Sequence, residues 1–86
     1  MRLKDRIPVT LPETRIRLLT AICYLLDKHQ TPYYLSAITK DLNRVGLKTM
    51  TGKIWTPRNL HQFMQIHDDF EADPADLKKI REELFS

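Results

Sequence analysis

Arg58, His61, Gln62 and Gln65 fall at i, i+3, i+4 and i+7, a spacing that lines four side chains along one face of an α-helix. Each carries directed hydrogen-bonding groups. Arginine matches the O6 and N7 of guanine and glutamine the N6 and N7 of adenine, so such a stripe suits the reading of base edges in the major groove of DNA. Its surroundings suit the same chemistry. No Asp or Glu occurs between Asp41 and Asp68, a run of 26 residues in a chain with 11 acids. Lys40 and Arg44 stand one helical turn apart, Lys48 and Lys53 flank a glycine-containing turn, and Thr56 precedes the helix. These five are the candidate phosphate contacts, which set a protein's position on a duplex without carrying sequence information. The competing reading of the stripe is the solvated face of an amphipathic helix.

The rest of the chain offers little alternative chemistry. Ser36 and Ser86 are the only serines, and His29, His61 and His67 have no acid at a spacing that suggests a triad. His67 beside Asp68 and Asp69 lacks the further His or Cys that a metal site needs. Gly52-Lys53 lacks the remainder of a phosphate-binding loop. The expectation is a chain without catalytic residues, metal or cofactor. The single cysteine, Cys23, lies in an apolar helical pattern and reads as a buried, reduced thiol. With no apolar run of membrane-spanning length and no leader-like N-terminus, it points to a cytoplasmic protein with no membrane partner.

Charge is segregated along the chain. Residues 1 to 60 hold 11 bases and four acids, a net +7, whereas residues 61 to 86 hold three bases and seven acids, a net −4. Such asymmetry predicts one part facing a polyanion and another facing elsewhere.

The elements that must position these residues are short. Eighty-six residues with 42% hydrophobic content predict a single small domain with one core. Residues 1–9 read as a basic arm or short edge strand, 10–67 as a helix-turn-helix-like core and 73–86 as a C-terminal helix. Thr10 and Glu13 match a capping box, starting a helix over about 12–29. Its core arc holds Ile16, Leu18, Leu19, Ile22, Cys23, Leu25 and Leu26, and Arg17, Thr20, Tyr24, Asp27 and Lys28 fall opposite. A second helix starts between Thr31 and Ser36 and ends at Val45. Leu35, Ile38, Leu42 and Val45 face inward, Ser36, Lys40, Asn43 and Arg44 face away, and Gly46 stands at a left-handed cap. Lys48-Thr49 and Ile54-Trp55 around Met50-Thr51-Gly52-Lys53 read as a small β-hairpin or wing-like turn, with Trp55 packed onto the core. Thr56-Pro57 starts the third helix, to about Ile66, and Asp73-Pro74 starts the fourth. The expected fold is mainly α: about four helices, helix-turn-helix or winged-helix-like, with a short hairpin between helices 2 and 3.

The segment Ile38 to Met64 resembles the DNA-binding region that follows the catalytic domain in large serine recombinases. The matching positions are Leu42, Asn43, Gly46, Thr49, Gly52, Trp55 and Thr56, in the spacing Gly-x5-Gly-x2-Trp-Thr. Met50 stands where a basic or small residue is more usual, and the acidic fourth helix has no counterpart. The catalytic serine domain is absent, so the resemblance implies a DNA-binding module of a phage, plasmid or other mobile element without strand cleavage.

Together these readings predict sequence-specific binding of double-stranded DNA by a small transcriptional regulator or recombination accessory factor. A homodimer through Leu77, Ile80 and Leu84 would match a two-fold site. The alternative is a protein–protein docking module of winged-helix type. RNA binding is less favoured, because only the adjacent Tyr33 and Tyr34 suggest an aromatic platform.

Overall fold

The computed structural model describes residues 13–85. The expected basic arm (1–9), the Thr10 half of the first capping box and Ser86 lie outside the described residues. Four α-helices follow in order: α1 (Glu13–Lys28), α2 (Tyr34–Arg44), α3 (Pro57–Ile66) and α4 (Pro74–Ile80), the last running directly into a π-helical segment, Arg81–Phe85. Among the described residues, no helix is long and apolar enough to cross a membrane.

The core joins Leu18, Ala21, Ile22 and Leu25 of α1 to Ile38 and Leu42 of α2, Trp55, Leu60 of α3 and Ile80 of α4. α1 is central, packed against both α2 and α4, and α3 rests on α2. Each large side chain withdrawn from water contributes on the order of 1.5–3 kcal/mol. Leu25, Ile38, Leu42 and Leu60, all fully buried, therefore hold the three consecutive helices together.

Local chemistry sets the helix boundaries. Gly46, at φ 82°, ends α2 in a Schellman motif: Leu47 N–H donates to Leu42 O (3.0 Å) and Gly46 N–H to Asn43 O (3.2 Å). A left-handed residue is required there, and glycine adopts it without steric cost. The Asp73 carboxylate accepts from Ala75 N–H (2.8 Å) and Pro74 opens α4.

Three expectations need correction. No strand forms among the described residues, so the β-hairpin between helices 2 and 3 is absent. The connection closes as a tight turn, in which Thr49 N–H donates to Lys53 O (2.8 Å), Gly52 N–H to Thr49 O (2.9 Å), and Lys53 N–H to Thr49 Oγ1 (3.0 Å). It propagates no further because both backbone groups of Trp55 are taken by Asn43: Trp55 N–H donates to Asn43 Oδ1 (2.8 Å) and Asn43 Nδ2 to Trp55 O (2.9 Å). A cross-strand partner would need those same groups.

The second correction concerns the face of α1 expected in solvent. Thr20 is buried, its hydroxyl donating to Ile16 O (2.7 Å), and Tyr24 stacks on Phe85 with ring centroids 5.1 Å apart. α4 and its π-helical extension cover this face, and Arg17 adds an ion pair to Glu83 (2.7 Å). Third, the stripe assigned to a homodimer is used within the chain. Ile80 is a core residue and Leu84 packs against that core, while Leu77 is half-buried at the rim. A dimer through Leu77, Ile80 and Leu84 would have to extract Ile80 from its own subunit.

Candidate nucleic-acid interface

α3 is held at its start by several local devices. The Thr56 hydroxyl accepts from Asn59 N–H (3.2 Å) and Asn59 Oδ1 accepts from Thr56 N–H (2.8 Å), a reciprocal capping box. Pro57 supplies the first helical residue with its φ already set. Asn59 Nδ2 also donates to Ile54 O (3.3 Å), and the Asn43 amide clamps Trp55, the residue before the cap. The end of α2 and the start of α3 are thus joined by directed hydrogen bonds as well as by packing.

The inner arc of α3 is Leu60, buried, with Phe63, Met64 and His67 half-buried. Trp55, 2% exposed, meets Phe63 edge-to-face at 5.5 Å, and Phe63 in turn lies 4.6 Å from the His67 ring. This leaves Arg58, His61, Gln62 and Gln65 exposed on the outer face. None of the four is engaged by a hydrogen bond or ion pair among the described residues.

The five candidate phosphate contacts are distributed less simply. Lys40, Lys48, Lys53 and Thr56 are exposed. Arg44 leans on Asp41 (Nη2 to Oδ1, 3.3 Å) yet keeps an exposed side chain. Lys53 follows the turn toward α3, whereas Lys48 lines the opposite flank of the turn, against Thr14, Arg17 and Leu18 of α1. Gln62 and Lys48 therefore stand on different sides of the 49–52 turn. The Thr56 oxygen is occupied as a cap acceptor, leaving its O–H as a donor.

Asp41, the acid that pairs with Arg44, is committed inward. His29 Nε2 lies 2.7 Å from its Oδ2. Partial burial pushes the Asp41 carboxyl up, but the hydrogen bond and charge of His29, with Arg44, outweigh it and hold the carboxyl below its ordinary range. Elsewhere, burial pushes the Cys23 thiol up, and no group of three or more His, Cys, Asp or Glu side chains converges on a metal-sized site among the described residues.

Sequence reasoning missed Asn43 and Asn59 as positioning residues. Asn43 sits on the outward side of α2, which hides its bond to a residue twelve positions on. Asn59 occupies the third helical position, where the capping-box signature leads one to look for Glu or Gln. The spacing Asn43…Trp55-Thr56 was the available signal for the clamp.

No protein-family model matches the chain, and neither a curated protein nor a solved structure matches it.

Proposed function

We propose that this chain binds double-stranded DNA sequence-specifically, as a small transcriptional regulator or recombination accessory factor, with α3 in the major groove in a helix-turn-helix-like manner. The observation that carries this is the unpaired outer stripe Arg58, His61, Gln62 and Gln65 on a helix whose start is locked by Thr56, Asn59 and Asn43. Rigid presentation matters because a base-reading side chain must be held within a few tenths of an ångström of its partner.

Dimensions support the reading. Ten residues of α3 span about 15 Å, so the helix as a whole can cover about four base pairs in a groove about 12 Å wide. The bases on the 42–67 segment (Arg44, Lys48, Lys53 and Arg58) face no acid from that segment. The likeness to the DNA-binding region of large serine recombinases supports it as well. Its seven residues all serve the scaffold: Leu42 in the core, Asn43 and Trp55 in the clamp, Gly46 and Gly52 at φ 82°, Thr49 in the turn and Thr56 in the cap. Sharing them amounts to sharing a way of presenting α3.

The docking alternative places its contact on the acidic 68–76 segment, and salt dependence separates the two. With Lys40, Arg44 and Lys53 on phosphates and Lys48 on the far flank of the turn, log K falls with log salt at a slope of about −2.7, or roughly 40-fold between about 50 and 200 mM. Lys53→Ala flattens the slope by about 0.9. No binding to a duplex at low salt, or a flat response, refutes the DNA reading.

A further inference from the structure

Four large apolar side chains are exposed among the described residues, and three of them belong to the 49–55 connection or to α3: Met50 (42%), Ile54 (60%) and Ile66 (73%). Two of these share one shallow groove. Met50 on the turn and Ile66 on α3 both line it, together with Asn59 and Gln62, the buried Trp55 and the half-buried Phe63. Gln62 and Ile66 are one helical turn apart, so they occupy the same flank of α3.

An A·T pair presents two features side by side in the major groove: the N6/N7 edge of adenine, which pairs bidentately with a glutamine amide, and the C5 methyl of thymine, which takes only apolar contact. The groove offers the complement of both, an unpaired amide flanked by two exposed apolar side chains. An amide with no partner among the described residues, set beside an apolar wall, is poorly suited to a purely hydrophobic protein partner, which would leave Gln62 buried and unpaired. Resting on the DNA reading above, we propose that Gln62, Met50 and Ile66 form a subsite selective for A·T, with Gln62 on adenine and the two apolar side chains around the thymine methyl. Arg58, at the start of the same helix, reads a neighbouring guanine. The target of α3 then contains both base-pair types, with the A·T step nearer the C-terminal half of the helix.

The test uses the duplex selected by the wild-type chain from a random library. It is prepared once with thymine and once with uracil, which removes the C5 methyl and leaves the hydrogen-bonding edges unchanged. The wild type binds the uracil duplex about fourfold more weakly for each methyl in contact. Met50→Ala/Ile66→Ala binds both duplexes alike and keeps the wild-type salt slope and melting, since both side chains are exposed. Equal wild-type binding of the two duplexes overturns the subsite while leaving DNA binding intact, as does a uracil penalty that persists in the double variant. A chain with no affinity for any duplex overturns both.

Discussion

Asn43 is the residue on which the placement of α3 depends most directly. Its amide makes two bonds to the backbone of Trp55, at 2.8 and 2.9 Å, and Trp55 is 2% exposed. Asn43→Ala removes both bonds and leaves an N–H and a C=O in a place where water reaches them poorly. Two lost hydrogen bonds with that incomplete resolvation cost about 2.5 kcal/mol. Alanine is the better helix former and returns about 0.5 kcal/mol near the end of α2. The net loss is about 2 kcal/mol, which in a domain of this size lowers Tm by about 8–16 °C. Asn43→Asp keeps the acceptor for Trp55 N–H but sets a second oxygen against the Trp55 carbonyl, so it recovers none of the stability of the lost donor. Thermal melting followed by circular dichroism checks the magnitude, and the exchange rate of the Trp55 amide reports whether the clamp itself has opened. A Tm for Asn43→Ala within about 3 °C of wild type, with Trp55 still protected, would refute the clamp as the device that seats α3.

Two further outcomes are expected. Arg58→Ala/Gln62→Ala abolishes discrimination between the selected site and random duplex without changing the melting temperature, because both side chains are exposed and unpaired; competition binding measures this, and unchanged preference would mean that α3 is not the reader. The folded-state carboxyl of Asp41 lies below its ordinary value of 3.8, so its contribution to stability is fully present above that value and is lost as pH falls through the folded one. The stability gap between wild type and Asp41→Asn therefore closes on acidification from neutral pH to about pH 2, as denaturant melts would report; a constant gap over that range would show that the His29 and Arg44 contacts contribute nothing.

The features legible in the sequence are those decided within a few residues. Thr56-Pro57 and Asp73-Pro74 start helices because cap and proline act on the first turn alone. Gly46 ends α2 because left-handed backbone there disfavours other residues. The outer stripe of α3 follows from its periodicity, once Leu60, Phe63 and Met64 are assigned inward. The features that were not legible involve distant partners. Thr20 and Tyr24 look like solvent positions until the C-terminal segment, more than fifty residues away, covers them. Leu77, Ile80 and Leu84 announce a face that must be covered, but periodicity does not say by what, and α1 of the same chain covers it. The hairpin failed for the same kind of reason, since β-propensity and a glycine turn do not reveal that Asn43 has already taken the backbone groups of Trp55.

That division bears on how such a module acquires specificity. The residues fixed by the scaffold are Leu42, Asn43, Gly46, Thr49, Gly52, Trp55 and Thr56, and each is bound up in a cap, a turn, a clamp or the core. Substituting any of them changes stability before it changes recognition. The residues free of structural duty are Met50 at the turn and Arg58, His61, Gln62, Gln65 and Ile66 on α3, and substituting these alters only what the surface meets. Surface substitutions away from such fixed features change stability by no more than about 0.5 kcal/mol, whereas a bidentate base contact carries about 1–3 kcal/mol of discrimination. On the DNA reading proposed above, recognition by α3 is therefore adjustable at little cost to the fold. Its length limits what any such adjustment achieves: about four base pairs recur too often by chance to define a unique site. If α3 reads DNA as proposed, selectivity on a long DNA then requires a second reading element, and Ile80 and Leu84 are already committed to their own core. That element must engage the chain through a surface other than the apolar stripe of α4.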